Sequence, residues 1–212
     1  VTADGSVAGA AAGSAVTGSG QSMTYVTTGG ALALQMASGS GLSNRYTETS
    51  SGIADIAINT TGTCGGASTS SIIVTAPIAN IVANAVTMGG NSGNLSLTTD
   101  GNIGLTAVTA GGASVSATSY SGSIDLTSVQ TGGGSVFAQS AGDLNVAHVV
   151  TLGAGVSLTS ANGNIVRTGA QPLQIDTRNG QGNASGTTTL NAVNGSVGSA
   201  GTRLQTSGAV TL

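Results

Sequence analysis

Side chains able to act as acids, bases or charge stabilisers are scarce in this chain of 212 residues. It carries four arginines, seven acidic residues, one histidine and no lysine. General acid–base or charge-stabilising catalysis needs several such groups gathered on one face. Asp125 follows the apolar Ile124, whereas Asp143 precedes the apolar Leu144, so the two carboxylates occupy different positions of the repeat described below. The sequence therefore predicts no catalytic residues and no enzyme activity.

Metal-binding and thiol chemistry have equally few candidates. Cys64 stands alone in a Gly-rich stretch, with no second Cys or His nearby, which favours a structural role at a corner. His148 also lacks a neighbouring ligand. The segment Gly89–Asn94 has some likeness to a calcium-binding nonapeptide but lacks its Asp and does not repeat. We predict no metal site and no cofactor.

The charge balance excludes two classes of partner. The net charge is −3 and the few arginines are dispersed, so no basic patch for nucleic acid is expected. No apolar run approaches the ~20 residues that span a membrane, so membrane insertion is not expected either. With 39% apolar residues and little charge, the chain is predicted to fold rather than remain disordered.

The few charged residues are set in a repeat of about twenty residues. Gly101, Gly122, Gly142 and Gly163 follow one another at spacings of 21, 20 and 21. Three apolar columns share this period, and a fourth, Val108, Val129 and Val149, accompanies them. The predicted core columns are Ile103, Ile124, Leu144 and Ile165; Leu105, Leu126 and Val146; and Val115, Val136 and Val156.

Such a period with two-residue alternation inside it predicts an all-β parallel β-helix, a solenoid with about 20–21 residues per coil. Each row is too small to fold alone, but stacking turns the columns into a core. We predict the right-handed form, because left-handed β-helices usually show six-residue repeats and none occur here. Glycine after Asp or Asn, as in Asp100-Gly101 and Asn162-Gly163, is expected to supply positive φ at the corners.

Two regions and three polar loops are predicted. Residues 1–71 are interpreted as irregular, Gly/Ser/Thr-rich early coils with protruding loops, and 72–212 as regular β-helix repeats with a polar loop near 176–186. Contacts with a partner are assigned to loops at 38–50, 60–71 and 176–186. Phe137 lies between inward-facing Val136 and Ala138, so it is expected to point outward. The candidate contact residues are Arg45, Tyr46, Glu48, Arg178 and Phe137.

A longer block occurs twice near the end of the chain. Asn162-Gly-Asn-Ile is followed by Pro172-Leu-Gln, and Asn194-Gly-Ser-Val by Leu204-Gln, with glycines offset by 32 residues. Together with rows of the form Gly-x-Ile-x-Leu-Thr, these blocks resemble the repeat region of filamentous-haemagglutinin-type adhesins, large exoproteins of two-partner secretion. The resemblance covers roughly residues 72–212. The family's amino-terminal secretion domain, with its Asn-Pro-Asn motifs, is not recognisable, which predicts an internal or carboxy-terminal rod segment.

The resemblance implies a right-handed parallel β-helix that is exported through an outer-membrane transporter and is secreted or displayed on the surface of a Gram-negative cell. The expected function is that of a structural and adhesive rod, with a host or bacterial surface receptor, protein or glycan, as partner. An alternative is self-association into extracellular filaments or a biofilm matrix. Less favoured are a pectate-lyase-like enzyme and an ice-binding solenoid, whose threonine ladder would be broken at Ala147.

Overall fold

The structure is a computed structural model of the 212-residue chain. It describes the backbone of 2–3, 6–10, 15–18, 22–27, 32–39, 43–48, 55–64, 70–76, 79–89, 93–183, 185–199 and 203–212. Side chains are described for 56–59, 71–76, 79–89, 93–183, 185–199 and 203–212. The side chains of Arg45, Tyr46, Glu48 and Cys64 lie outside these residues.

Over the described residues the chain forms 23 strands and no helix. The strands are β1 (Thr2–Ala3), β2 (Ser6–Ala10), β3 (Ala15–Gly18), β4 (Ser22–Thr27), β5 (Leu32–Gly39), β6 (Ser43–Glu48), β7 (Asp55–Cys64), β8 (Ser70–Ala76), β9 (Asn80–Met88), β10 (Gly93–Thr99), β11 (Ile103–Leu105), β12 (Val108–Ala110), β13 (Ser114–Ser119), β14 (Ile124–Leu126), β15 (Val129–Thr131), β16 (Val136–Ser140), β17 (Leu144–Val146), β18 (Val149–Val150), β19 (Val156–Ser160), β20 (Ile165–Arg167), β21 (Ile175–Asp176), β22 (Thr187–Ala192) and β23 (Ala209–Thr211).

These strands build two parallel sheets that the chain visits in turn. One sheet runs β1-β3-β5-β7-β9-β11-β14-β17-β20. A branch of the same sheet starts at β9 and runs β9-β12-β15-β18-β21. The other runs β2-β4-β6-β8-β10-β13-β16-β19-β22-β23. Each circuit of the chain adds strands to both sheets and stacks them on the previous circuit. The predicted parallel β-helix is therefore confirmed.

The core lies between the sheets, in columns that run along the stack. Ile103 pairs with Ile124, Ile124 with Leu144 and Leu144 with Ile165, at the residues that the sequence period aligns. In the second sheet Val136 pairs with Val115 and Val156. All ten predicted core residues are at most 2% exposed: Ile103, Ile124, Leu144, Ile165, Leu105, Leu126, Val146, Val115, Val136 and Val156.

Local sequence explains why these segments are strands. In β14 and β16 buried and exposed residues alternate, the period of an extended chain. Branched residues such as Ile124 and Val136 pack well on a pleated surface, and burying each one stabilises the fold by about 1.5–3 kcal/mol. The stacked columns share this burial between neighbouring coils, so no coil is independent of the next.

The glycines that begin the rows serve a purpose other than the predicted one. Gly101, Gly122, Gly142 and Gly163 do not have positive φ, so that prediction was wrong. They lie where successive coils touch. A Cβ on Gly122 would stand 2.6 Å from the carbonyl oxygen of Gly101, and one on Gly163 would stand 2.5 Å from the amide nitrogen of Asp143. Glycine is required here because the backbones of successive coils touch, and not because the chain turns with a positive φ.

Two of the predicted protruding loops are largely strands. Residues 43–48 form β6, which pairs in register with β4 and β8, and 60–64 belong to β7. The interpretation of 38–50 as a loop was therefore wrong for 43–48, because backbone N–H and C=O groups form ladders whatever the side-chain polarity. Cys64 ends β7 and pairs with Met88.

The 32-residue block forms a longer last coil. Ile165 pairs with Val197, and Ile175 with Thr206, in bridges that join this coil to the previous one. Arg167 is in register with Val146, but its guanidinium donates to the Gln171 carbonyl at the surface, 2.9 Å away. The core column of Leu105 therefore ends at Val146.

Candidate functional site

Buried hydroxyl groups line one corner of the solenoid, a feature that sequence reasoning missed. The Ser119 hydroxyl donates to the Gly101 carbonyl at 2.6 Å and accepts from the Gly122 amide at 2.9 Å. Ser160 makes the equivalent bonds with Gly142 and Gly163, at 2.8 and 3.0 Å. The signal in the sequence is a Ser three residues before the row-start Gly. These hydroxyls join consecutive coils, so their role is structural.

Amide and carboxylate side chains form a second ladder on the outside of the same corner. Asn102 Oδ1 accepts from the Ser123 amide at 2.8 Å, and Asp143 Oδ1 accepts from the Asn164 amide at 2.7 Å. Asp125 lies in another column, where Asn145 Nδ2 donates to its Oδ1 at 2.6 Å. The two carboxylates are therefore occupied separately by bonds between coils, and the structure does not bring them together as an acid–base pair.

His148 lies at the corner between β17 and β18. Its ring is half-buried, its Nδ1 atom is enclosed, and that atom has no hydrogen-bond partner among the residues described. Across the described part of the chain, no group of three or more His, Cys, Asp and Glu side chains is placed to hold a metal ion.

Phe137 projects from the outer face of the ten-stranded sheet, between uncharged neighbours. Its register partners on either side are Ser116 and Ser157, and its ring is 39% exposed. Beside it lies a shallow recess of about 240 Å³, which Ser157 and Thr189 also line. An apolar ring among neutral hydroxyl groups suits contact with an uncharged partner surface.

The charged candidate, Arg178, belongs to the polar loop after β21. Its Nε donates to Asp176 Oδ1 at 2.8 Å, and its guanidinium also pairs with Oδ2. Ser207, from the following coil, donates to the same Oδ1 at 2.9 Å. Half of the Arg178 side chain stays exposed, so this residue is held in place yet remains open to a partner.

The same contacts govern the titration of Asp176. The hydrogen bonds from the Arg178 side chain hold the pKa of Asp176 well below its usual range, and the Ser207 hydroxyl acts in the same direction, whereas burial raises the pKa. The Asp176 carboxylate raises the pKa of Arg178 in return. The ion pair therefore persists at any pH at which an ordinary aspartate is charged.

This pair predicts a pH-dependent contribution to stability. A carboxyl whose pKa is lower in the folded state stabilises the fold above its unfolded pKa of about 3.9 and loses that contribution as the pH falls towards the folded value. We expect Asp176→Asn to lower the urea midpoint at neutral pH and to converge with the wild type in acid. Asp100→Asn, at an exposed corner, is the control. A gap between Asp176→Asn and wild type that persists in strong acid would contradict the assignment.

Two buried threonines predict opposite responses to the same substitution. Thr188 stands in the core column after Val156, and its hydroxyl has no partner among the described residues. The single proton of the Thr177 hydroxyl is shared between the carbonyl oxygens of Gly186 and Ser207, 3.1 and 3.0 Å away. We expect Thr188→Val to stabilise the fold by about 1 kcal/mol and Thr177→Val to destabilise it by about 1–3 kcal/mol. Thermal unfolding of both variants measures this, and equal signs would contradict it.

The sequence-predicted contact residues belong to different elements of the fold. Phe137 lies on the outer face of β16 and Arg178 in the loop after β21. Arg45, Tyr46 and Glu48 belong to β6, and their side chains lie outside the described residues. Over the residues that are described, no helix is long and apolar enough to cross a membrane. No protein-family model, curated protein or solved structure matches this chain.

Proposed function

We propose that this chain is a stiff, adhesive rod segment of a large secreted bacterial surface exoprotein. The observation that carries the proposal is a stack of parallel coils, in register from β9 onward, whose described outer surface carries many hydroxyl groups and few charges. The resemblance of residues 72–212 to the repeats of filamentous-haemagglutinin-type adhesins supports the same conclusion. In this role the chain crosses the outer membrane through a dedicated transporter and acts at the cell surface.

The stack gives such a rod its stiffness. Between consecutive coils, the amide of Ile103 donates to Ser123 O at 3.0 Å, that of Ile124 to Asp143 O at 3.0 Å, and that of Leu144 to Asn164 O at 2.8 Å. These bonds run along the stack, and the aliphatic columns beside them exclude water. Bending the rod would stretch these hydrogen bonds and open the aliphatic columns at the same time, so the rod resists bending. A stiff rod can hold a contact surface away from the cell.

Contact with a receptor, either protein or glycan, is assigned to Phe137 and Arg178. Phe137 projects from a regular coil and Arg178 from the polar loop after β21, and both are exposed. On the rest of the described surface few charges compete for nonspecific partners. Such a surface favours recognition by shape and hydrogen bonding over charge.

The test is binding of intact cells to the immobilised chain. We expect Phe137→Ser, which gives β16 the residue of the neighbouring rows, and Arg178→Gln to reduce binding several-fold. Tyr120→Ser removes another exposed aromatic residue, 64% exposed, and is expected to leave binding unchanged. Wild-type binding by a Phe137→Ser, Arg178→Gln double variant would overturn the assignment of these contacts.

Self-association into filaments is the second candidate, and the low charge of the hydroxyl-rich surface favours it. Sedimentation over a range of concentrations separates the candidates. A sedimentation coefficient that rises with concentration supports filaments, and a constant one supports a single rod.

A further inference from the structure

The dipeptide Asn-Gly occurs at three places that the fold treats differently. Asn162-Gly163 and Asn194-Gly195 lie at corners of the stack, whereas Asn179-Gly180 lies in the polar loop after β21. Asn-Gly is the dipeptide most prone to deamidation, because the unshielded glycine amide nitrogen can attack the asparagine side-chain amide. Asparagine is for this reason a thermolabile residue. The structure determines which of the three can react.

The corner at Gly163 blocks the reaction. The Gly163 amide, which would have to act as the nucleophile, donates to Ser160 Oγ at 3.0 Å. The backbone is also packed against the previous coil, since a Cβ on Gly163 would stand 2.5 Å from the Asp143 amide nitrogen. Closing a five-membered ring here requires breaking a bond between coils and moving a strand.

The corner at Asn194 is held in the same way. Its Nδ2, the group that would leave, donates to the Ala161 carbonyl at 2.9 Å and to Asn162 Oδ1 at 3.1 Å. Gly195 lies against the carbonyl of Gly163 with no room for even a methyl group. Both the leaving group and the backbone are therefore fixed.

In Asn179-Gly180 of the polar loop, neither the attacking amide nor the leaving group is held in this way. Gly180 is exposed, and a Cβ built on it would meet nothing within 4 Å. Among the described residues, no hydrogen bond engages the Gly180 amide or Asn179 Nδ2. The nucleophile and the leaving group are thus available.

The loop also activates the amide that is attacked. Asn179 Oδ1 accepts from the backbone amides of Gln181 and Asn183, both at 3.0 Å. The backbone amide of Asn179 donates to the Asn183 carbonyl at 2.8 Å, and the backbone amide of Gly182 donates to the Asn179 backbone carbonyl at 2.9 Å. These two bonds fix the arrangement. Two N–H groups on one carbonyl oxygen withdraw electrons from Cγ and stabilise the negative charge that nucleophilic attack places on Oδ1.

We propose that Asn179 is a self-modification site, at which the folded chain selectively deamidates. The Gly180 nitrogen loses its proton to solvent base and forms a bond to Asn179 Cγ. The Cγ–Nδ2 bond breaks and ammonia leaves with a proton from solvent, which gives a succinimide. Water then cleaves one of the two ring C–N bonds and yields aspartate or isoaspartate. No oxidant or further reactant is needed.

The modification changes the charge of the loop. Residues 176–186 contain one Asp and one Arg, so the unmodified loop is neutral and the product carries one negative charge. The new carboxylate is adjacent in sequence to Arg178. It competes with Asp176 for the guanidinium and alters the surface that this loop presents.

The test uses the intact chain, incubated in warm, mildly alkaline buffer made with water labelled with heavy oxygen. Peptide mapping by mass spectrometry then follows all three asparagines. We expect label and isoaspartate at residue 179, with Asn162 and Asn194 unchanged. The same incubation in denaturant should bring the three rates close together, because the protection and the activation both come from the fold.

Gly180→Ala supplies the matched variant. The space around Gly180 accepts a methyl group, so the variant should fold normally by circular dichroism, while the methyl group slows ring closure at residue 179. Deamidation of Asn162 or Asn194 at the rate of Asn179 in the folded chain would overturn the proposal. So would equal selectivity in the folded and denatured chains.

Discussion

Ile124→Asp is expected to unfold the central coils of the rod, at a cost of at least about 4 kcal/mol. Ile124 is fully buried and stands between Ile103 and Leu144 in its column. The substitution removes the apolar contacts with both neighbours and places a carboxylate where no donor can reach it. Chemical denaturation followed by circular dichroism measures the loss, and limited proteolysis should cut first in the coils on either side.

Thr127→Asp is the matched control, only three residues away. Thr127 is exposed just after β14, so its carboxylate would stay in water. We expect its free energy of unfolding to lie within about 0.5 kcal/mol of the wild type. Equal losses for the two variants would mean that the inward and outward faces of β14 have been exchanged.

Gly163→Ala is expected to destabilise the fold by about 3 kcal/mol, although alanine normally favours extended structure more than glycine does. The added Cβ would stand 2.5 Å from the amide nitrogen of Asp143, which is backbone and cannot rotate away. Relief requires the two coils to separate. That separation would also lengthen the 2.7 Å bond from the Asn164 amide to Asp143 Oδ1.

Gly180→Ala makes the same change in a second Asn-Gly dipeptide, where no backbone of a neighbouring coil lies close to the Cβ position. Nothing lies within 4 Å of its Cβ position, and its φ is not positive. We expect little change in the thermal midpoint, or a slight increase because alanine reduces the entropy of the unfolded chain. A loss at Gly180→Ala as large as that at Gly163→Ala would show that backbone conformation, not contact between coils, is what requires glycine.

The sequence was sufficient to predict the core because stacking repeats one packing problem in every coil. Ile103, Ile124 and Leu144 could be aligned by their spacing alone, since a residue one period later lies directly above. The same alternation correctly placed Phe137 on the outside. The right-handedness of the coil stays a prediction.

Features that depend on contacts between particular coils were beyond the sequence. The reason for Gly122 and Gly163 lies in the backbone of the preceding coil, which the local turn pattern does not reveal. The ion pair of Asp176 with Arg178 is local, but Ser207, which completes it, lies 31 residues away. The polar segment at Arg45 was taken for a loop because side-chain polarity says little about backbone pairing.

The stacking of coils also sets the order in which the chain can fold. Side-chain hydrogen bonds between coils join residues only 18 to 33 positions apart, and no described coil has to wait for a distant segment. Each coil therefore closes a loop of similar length and pays a similar entropy, so structure can start at one coil and grow by adding its neighbour. A chain that emerges from one end can thus become rigid progressively, with each finished coil serving as the template for the next.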